Sequence, residues 1–421
     1  MSKWIFLAAV LLAGSAQAQP SSVTGTVADG ETITINGSGM GAYAAPWYFE
    51  DFEVDDITDT EFHLQDSPHY ATTLKEAELS TVAKREGSKS MIIAFLDSTQ
   101  QRDFAWGNLV AKYYFPEEIP LGGKLYISLW VKWDWGNQCD CLGDPINNLP
   151  STLNIDNQFK ICRIGAMPWS APNNNAVGVH MPYVRFWAHT SCAASMGQRS
   201  IGLQYYTGTN AFYDDTVHYP GVYSASYETG YRDIFSTHSL LQDEWHHVEW
   251  EILANTIENG SRDGSYRLYI SRRGERSSVL FGEGIGGGFM GYSDEHRWGA
   301  QAVGGYMSSS DHSANAPAHA EHFYDNYYIN NGWQRVVLGD APTYDGCYIR
   351  EPQPYTSWTA NAIEVGPLVA TGFAADDPAW LYVVGEDGVA NAPLEVTIGL
   401  AGGGEPGAPG APTNLTATEI D

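Results

Sequence analysis

Short runs of alternating apolar and polar residues dominate the chain, and they predict strands. "KLYISLWVKW", "YVRFWAH", "SIGLQYYTG" and "WHHVEWEIL" all alternate with a period of two, and turn-forming glycine, proline, asparagine and aspartate separate the runs. Successive side chains of a strand point to opposite faces of a sheet, so each run has one apolar and one polar face. Convincing helical periodicity is missing. The pattern therefore predicts an all-β fold.

The strand runs fall into a small unit at both ends of the chain and a larger unit between them. "VTGTVADGETITINGSGMG" predicts a hairpin, and residues 356–399 return to short strands of similar size. From Trp47 onward the chain is rich in aromatic residues. The many strands of this larger unit, residues 47–346, predict a two-sheet jelly roll.

Both ends of the chain carry segments outside these units. Residues 1–18 combine Lys3, an apolar run and a closing Ala-Gln-Ala, which predicts a secretory signal peptide and a secreted, periplasmic or cell-surface protein. Residues 401–421 begin with a Gly/Pro linker. The following "APTNLTATEID" looks like the first strand of a truncated fibronectin type III module, so further modules of the same chain are expected.

Charge and cysteine content narrow the classes of partner. With 22 Lys and Arg against 50 Asp and Glu, the formal net charge is −28, which argues against nucleic acid and anionic membrane surfaces as partners and weighs against an anionic polymer. Membrane insertion is not expected, because no segment after residue 18 is long and apolar enough. Five cysteines in an oxidising compartment leave at least one thiol without a partner in the chain. Cys139 and Cys141 are expected to pair elsewhere, with Cys162 or Cys192, and a zinc site is the alternative.

Two stretches resemble concanavalin A-like lectin and glucanase jelly rolls. "EWHHVEWEILANTIENGSRDGSYRLYI" is similar to a hairpin of that family, and "HFYDNYYINNGWQRVVLGD" is similar to its last strand. The hairpin from Gly30 to Gly41, together with "AWLYVVGEDG" and "LEVTIG", resembles a TIG/IPT-type immunoglobulin-like domain. These resemblances imply a two-sheet jelly-roll sandwich at residues 47–346, inserted into a smaller immunoglobulin-like β-sandwich made of residues 21–46 and 347–400.

The strand "YVRFWAH" has the composition of a sugar-binding groove. Its alternation puts Tyr183, Arg185, Trp187 and His189 on one face and apolar residues on the other. Aromatic rings stack on the apolar faces of sugars, while Arg and His donate hydrogen bonds to hydroxyl or carboxylate groups. The alternative is an ordinary solvent-facing strand. In "QFKICRI" the same rule puts Lys160 with Cys162 and sets Arg163 opposite them.

Jelly-roll polysaccharide lyases cleave uronic-acid polymers by β-elimination, with Tyr and His as base and acid and with Arg, Gln or Asn as neutraliser. The resemblance therefore suggests a polysaccharide lyase, although the R-x-E-L-R, Q-I-H and Y-F-K-x-G-x-Y motifs of alginate lyases are absent and enzyme activity stays open. The candidate catalytic residues are Tyr183, Arg185, His189, Gln204 and Tyr206. The candidate substrate-binding residues are Lys160, Trp187, Trp130 and His180.

Two other functions compete with the lyase. A non-catalytic carbohydrate-binding or adhesin module needs only the groove. A retaining glycoside hydrolase needs two carboxylates, for which "DEWHHVEWEI" offers Glu249 and Glu251 on one face beside His247. That face is either a catalytic pair or the water-facing side of an outer strand. Val248, Trp250 and Ile252 form the expected core face.

No cofactor is required by any of these functions, but the family resemblance allows a structural calcium ion. Concanavalin A-like domains often bind Ca²⁺ through carboxylate, amide and backbone oxygens. In "FYDNYY", Asp325 and Asn326 are the candidate ligands. Ordinary turn chemistry is the alternative.

Overall fold

The computed structural model describes the chain in segments. These are residues 19–64, 77–85, 87–95, 111–134, 157–166, 180–188, 200–207, 244–254, 256, 265–272, 275–281, 298–303, 307–308, 320–370, 372–399 and 401–402. The expected signal peptide and nearly all of the expected linker and fibronectin-like segment lie outside these residues.

The described residues form strands joined by turns and two short 3-10 turns, Ile57–Asp59 and Tyr344–Gly346, so the prediction of an all-β fold is confirmed. Within those segments no helix is long and apolar enough to span a membrane. The strands are β1 Gln19–Thr26, β2 Ile33–Ser38, β3 Tyr48–Glu50, β4 His63–Leu64, β5 Glu78–Ser80, β6 Ser90–Phe95, β7 Ala111–Tyr114, β8 Lys124–Asp134, β9 Asn157–Ala166, β10 His180–Ala188, β11 Ser200–Thr207, β12 His246–Leu253, β13 Ser265–Arg272, β14 Glu275–Phe281, β15 Trp298–Val303, β16 Met307–Ser308, β17 Ala320–Asn330, β18 Arg335–Gly339, β19 Arg350–Gln353, β20 Tyr355–Trp358, β21 Ala362–Val365, β22 Pro378–Val384, β23 Leu394–Thr397 and β24 Ala401–Gly402.

Two large antiparallel sheets form the jelly roll. A seven-stranded sheet has the order β11-β10-β9-β15-β7-β4 with β16 beside β9, and an eight-stranded sheet has the order β14-β13-β12-β8-β17-β6-β5 with β3 beside β17. Aromatic rings pack between them: Tyr113 of β7 stacks on Tyr48 of β3 at 4.4 Å, and Phe62 meets Tyr327 of β17 at 5.1 Å. These contacts identify the inner face of each sheet.

Two smaller sheets form a second sandwich. The five-stranded sheet has the order β20-β21-β2-β1-β24, and the four-stranded sheet has the order β19-β18-β22-β23. Strands from both ends of the described chain meet here, since Ile35 of β2 pairs with Ile363 of β21. A single apolar core joins the two sheets and includes Ile35, Ile363, Leu338 and Leu381. The immunoglobulin-like resemblance and the exact domain boundaries stay predictions.

The eight-stranded sheet is covered on both faces. Val248, Trp250 and Ile252 of β12 lie on its inner face and are at most 1% exposed, which confirms the predicted core face. The opposite face of β12 is also buried, because β18, β19 and the turn before β19 cover it. This sheet is therefore the middle layer between the seven-stranded sheet and the small sandwich.

The pairing of β2 with β21 yields a stability prediction. Ile35→Ala removes a side chain that is fully buried between the two small sheets, and we expect it to lower the free energy of unfolding by about 2–5 kcal/mol. Thr34→Ala, one residue earlier on the outer side of the same strand, is the control and should cost less than about 1 kcal/mol. Urea unfolding measures both, and equal losses would contradict the observed facing of β2.

Candidate functional site

One row of paired residues crosses the seven-stranded sheet. Gln204 of β11 pairs with Tyr183 of β10, and Tyr183 pairs with Arg163 of β9. The row continues from Arg163 through β15 to Lys112 of β7 and ends at His63 of β4. Directly paired residues share a face of an antiparallel sheet. The register therefore gathers phenol, guanidinium, amide, ammonium and imidazole groups on one face.

Further pairs of residues lie beside the first row on β9, β10 and β11. Arg185 of β10 pairs with Lys160 of β9, and Trp187 pairs with Gln158 one step farther along. Tyr206 of β11 pairs with Met181 on the opposite side of the first row. Residues separated by two positions in a strand share a face. These positions consequently belong to the face that carries Tyr183.

This face is the outer face of the seven-stranded sheet. Ala111 and Tyr113 of β7 alternate with Lys112 and are only 0% and 3% exposed. Tyr113 packs on Tyr48 in the jelly-roll interior. Because Lys112 occupies the alternate position of the same strand, its row lies on the side turned away from the eight-stranded sheet. We name the outer positions of β4, β7, β9, β10, β11 and β15 the outer face.

A bulge in β9 changes one prediction made from alternation. Val184 pairs with Cys162 but the next residue, Arg185, pairs with Lys160, so Ile161 is the extra residue. The expected grouping of Lys160 with Cys162 is wrong, because the bulge places Arg163 with Lys160 and moves Cys162 to the inner face. The bulge thus brings a second basic residue of β9 to the outer face.

The charges of the sheet are strongly segregated. Its seven strands, as far as they are described, contain the four basic residues Lys112, Lys160, Arg163 and Arg185 and neither Asp nor Glu. By the register, all four basic residues occupy the outer face. The chain as a whole has a formal net charge of −28. A purely basic face in so acidic a protein is a local feature that the overall charge conceals.

The structure separates two candidate residues from the others. His180 pairs with Thr207 and alternates with Tyr183, so it lies on the inner face of the seven-stranded sheet. Trp130 belongs to β8 of the eight-stranded sheet, is 5% exposed and donates from Nε1 to Glu351 Oε2 of β19 at 2.9 Å. These two residues therefore lie away from the outer face, and their role in substrate binding stays a prediction. His189 lies outside the described residues.

The polar face of β12 is buried against the small sandwich. Glu249 and Glu251 are 1% and 3% exposed, so the expectation that they face water is wrong. Glu251 Oε1 accepts a hydrogen bond from Arg335 Nη2 of β18 at 2.8 Å, and Glu249 is paired with Arg350 of β19. Both carboxylates are thus occupied by fully buried guanidinium groups and unavailable as a hydrolase pair.

Neighbouring groups complete this buried network. Tyr126 of β8 donates to Glu249 Oε1 at 2.9 Å, and burial followed by the adjacent Glu249 carboxylate raises the Tyr126 pKa well above its ordinary value. Arg335 also donates to the Tyr344 hydroxyl at 2.8 Å and lies over the Tyr126 ring at 4.0 Å. The network ends at the surface with Arg267, which is 3.5 Å from Glu251 and 42% exposed.

His247 and Trp130 extend the network along β12 and β8. The Trp130 and His247 rings stack with centroids 4.6 Å apart, and Ser128 Oγ lies 2.6 Å from His247 Nε2. The guanidinium carbon of Arg85 lies over the Trp130 ring, 4.2 Å from its centroid. Ser128 and His247 are fully buried, which leaves no approach for a substrate. This cluster is structural.

Asp325 and Asn326 hold the same interface. Asp325 accepts hydrogen bonds from the backbone amides of Arg85 and Asn326, at 2.8 and 2.9 Å, and Asn326 Nδ2 donates to Glu351 Oε1 at 2.9 Å. Asn326 has a φ of 44°, a conformation that asparagine tolerates better than most residues. Among the described residues no group of three His, Cys, Asp or Glu side chains could hold a metal ion. The calcium site stays a prediction.

Sequence analysis missed three residues of the outer face. Strict alternation put Arg163 on the wrong face, because it does not allow for the bulge at Ile161. His63 and Lys112 lie on strands that are far from β10 in the chain. The absence of acidic residues from "KYY", "QFKICRI" and "YVRFWAH" was a usable signal. Cys347 has a free buried thiol, in line with an unpaired cysteine. The other four cysteines lie outside the side chains described.

The comparisons with known proteins found solved structures with a similar fold but no family for this chain. A scan against protein families and a search of curated proteins found no match. Among solved structures, a marine PL-14 alginate lyase from Aplysia kurodai has 13% identity and a TM-score of 0.38, over 68% of this chain and all of that one. The alginate lyase vAL-1 from Chlorella virus has 9% identity and a TM-score of 0.32, over 61% and 90%. Arcelin-5, a lectin-like defence protein from Phaseolus vulgaris, has 8% identity and a TM-score of 0.30, over 68% and 97%.

The buried ion pairs yield a stability prediction. Arg335→Met removes the buried partner of the Glu251 carboxylate and leaves the partly exposed Arg267 beside it, and we expect a loss of about 3–5 kcal/mol in the free energy of unfolding. Arg267→Met removes the exposed partner of the same carboxylate and should cost at most about 1 kcal/mol. The double variant Glu251→Gln/Arg335→Met should recover part of the loss in a double-mutant cycle. Equal effects of the two arginine variants would contradict the buried network.

Proposed function

We propose that this protein binds an anionic, uronic-acid-containing polysaccharide on the outer face and cleaves it by β-elimination. The observation that carries the proposal is the segregation of charge: four basic residues and no acidic residue in the described strands of the seven-stranded sheet. A neutral polymer would give these residues no partner. A uronate polymer offers a carboxylate on each sugar, which Arg and Lys bind through charge-assisted hydrogen bonds.

The acidic average charge of the protein does not prevent this binding. Salt screens exposed charges beyond about 8–10 Å at physiological ionic strength, so a polymer on the outer face responds mainly to the charges beneath it. The remaining acidic surface repels a polyanion elsewhere and so directs it to this face. The earlier inference from the net charge against an anionic ligand is therefore replaced by one from local charge.

The aromatic residues of the outer face favour a sugar over other polyanions. Tyr183 and Trp187 of β10 and Tyr206 of β11 occupy outer positions among the basic residues. Flat rings pack on the apolar faces of pyranose rings, while cations bind the carboxylates between them. Alternating rings and cations are the arrangement that a polymer of charged sugars requires.

The reaction proposed for this face needs three kinds of group and no cofactor. A base removes the proton from C5 of a uronate, and that electron pair forms the C4=C5 double bond as the bond from C4 to the bridging oxygen breaks. An acid returns a proton to the departing oxygen. The negative charge that develops on the carboxylate in the transition state must be stabilised by adjacent donors. Atoms and electrons balance without an oxidant, a reductant or water.

The first row supplies these groups on neighbouring strands. Tyr183 is flanked directly by Arg163 and Gln204, and we assign Tyr183 as base and the other two as the groups that stabilise the carboxylate. Tyr206 or His189 serves as the acid. Lys160, Arg185 and Trp187 hold the adjoining sugars.

A non-catalytic binding module is the second candidate, because it uses the same outer face without the proton transfers. The glycoside hydrolase is not proposed, since Glu249 and Glu251 are buried and paired with Arg350 and Arg335. Secretion follows from the expected signal peptide and remains part of the proposal. A structural calcium ion also remains a prediction, with Asp325 and Asn326 as ligands.

The proposal is tested by incubating the protein with alginate, polygalacturonate, glucuronan and neutral dextran. We expect ultraviolet absorbance from the new C4=C5 double bond with one of the uronate polymers and none with dextran. Tyr183→Phe should lower the rate about 10²–10⁴-fold, because it removes the proposed base. Tyr348→Phe is the matched control, since Tyr348 is 52% exposed on the small sandwich, and should keep the full rate.

The other outcomes separate the candidates. Binding of a uronate polymer by every variant, with neither absorbance nor new reducing ends, supports the binding module and contradicts the elimination. Reducing ends without absorbance indicate hydrolysis. Preference for dextran or for single-stranded DNA over every uronate polymer contradicts the proposal altogether. An unchanged rate in Tyr183→Phe removes Tyr183 as base.

A further inference from the structure

We infer that the outer face contains a second, separate anion-binding subsite at Lys112 of β7 and His63 of β4, which makes the protein select long polymer chains over short fragments. This inference rests on the proposed function and extends it. Neither residue was a candidate from the sequence. The inference starts from three pairings. His63 pairs with Lys112, Lys112 pairs with Ala302 of β15, and Ala302 pairs with Arg163.

The register puts Lys112 in line with the proposed catalytic residues. Following the first row from Tyr183, the next positions are Arg163, Ala302 and Lys112. Neighbouring strands of a sheet are about 4.8 Å apart, so Lys112 is about 10 Å from Arg163 and about 14 Å from Tyr183 along the row. A short fragment that occupies the β9–β11 half leaves Lys112 without a ligand.

The strand between the two basic regions is suited to let a polymer pass. The outer positions of β15 are Ala300 and Ala302, and Gly165 of β9 pairs with Ala300. Alanine and glycine present neither bulk nor charge at these positions. On the far side Ala300 pairs with Tyr114 of β7, one step along the strand from the Lys112 row. Beyond the small residues, β7 thus carries the aromatic Tyr114 and the basic Lys112, as β10 carries Tyr183 and Arg185.

Lys112 adds attraction without taking part in the reaction. It lies too far along the row to reach a sugar whose C5 proton is at Tyr183, so it holds a sugar beyond those at the bond that is cleaved. Binding energy from remote units of a polymer lowers the concentration needed for reaction and keeps the chain in register with the catalytic residues. Lys112 is therefore assigned as a specificity residue, and His63 as its neighbour at the edge of the sheet.

The test compares Lys112→Gln with the wild type on the uronate polymer that the wild type binds best in the panel above, and on the disaccharide of the same uronate. The polymer should bind about threefold to tenfold more weakly to Lys112→Gln, with a smaller loss of affinity on adding salt. The affinity for the disaccharide should be unchanged, because a disaccharide at Tyr183 is too short to reach Lys112. Lys84→Gln, an exposed lysine outside the sheet, makes the same charge change and should leave both affinities unchanged.

Each other outcome is decisive. Equal polymer affinity in Lys112→Gln and the wild type overturns the second subsite while the proposed function stands. Equal weakening for polymer and disaccharide shows that Lys112 belongs to one undivided site and also overturns it. A wild type that binds no uronate polymer overturns the proposed function and this inference together. If Lys112→Gln fails to fold, Lys112→Met makes the same charge change, and an unchanged polymer affinity in that variant overturns the second subsite.

Discussion

The structure depends on the burial of both faces of the eight-stranded sheet. Its inner face packs aromatic and aliphatic side chains against the seven-stranded sheet, and its outer face packs carboxylates against the guanidinium groups of the small sandwich. Two buried ions cost several kcal/mol each to remove from water, so each carboxylate requires its arginine in place. The interface is consequently specific: Glu251 needs Arg335, Glu249 needs Arg350, and Trp130 needs Glu351.

This constraint decides where chemistry can occur in the jelly roll. A sandwich of two sheets has two outer faces, and the small sandwich covers that of the eight-stranded sheet. The most catalytic-looking run in the chain, "DEWHHVEWEI", lies under that cover. The outer face of the seven-stranded sheet is the other place where chemistry could occur. It carries basic and aromatic residues, whereas the covered face of the eight-stranded sheet carries carboxylates. The charge of the two sheets thus reflects two tasks, the binding of arginines of the same chain and the proposed binding of an external polyanion.

Much of the fold could be predicted from alternation, because the facing of a strand is a local property. The core face of Val248, Trp250 and Ile252 was predicted correctly, as was the all-β class. What covers the opposite face is not local: residues 335–351 lie far away in the chain and turn an apparently water-facing strand into an interior one.

The outer face shows the same limit of sequence analysis. Tyr183, Arg185 and Trp187 were predictable from one strand. Arg163 was not, because a single extra residue at Ile161 reverses the facing of everything beyond it. Lys112 was not, because its place in the row depends on the pairing of β7 with β15 across nearly two hundred residues.

The proposed function requires an anionic polysaccharide on the outer face of the seven-stranded sheet. Hydrogen exchange followed by mass spectrometry, with and without the uronate polymer that the protein binds best, tests this most directly. We expect slower exchange of backbone amides in β7, β9 and β10 on binding, with no change in β12, β18 and β19. Protection confined to the small sandwich or to the interface around Glu249 and Glu251 would contradict it.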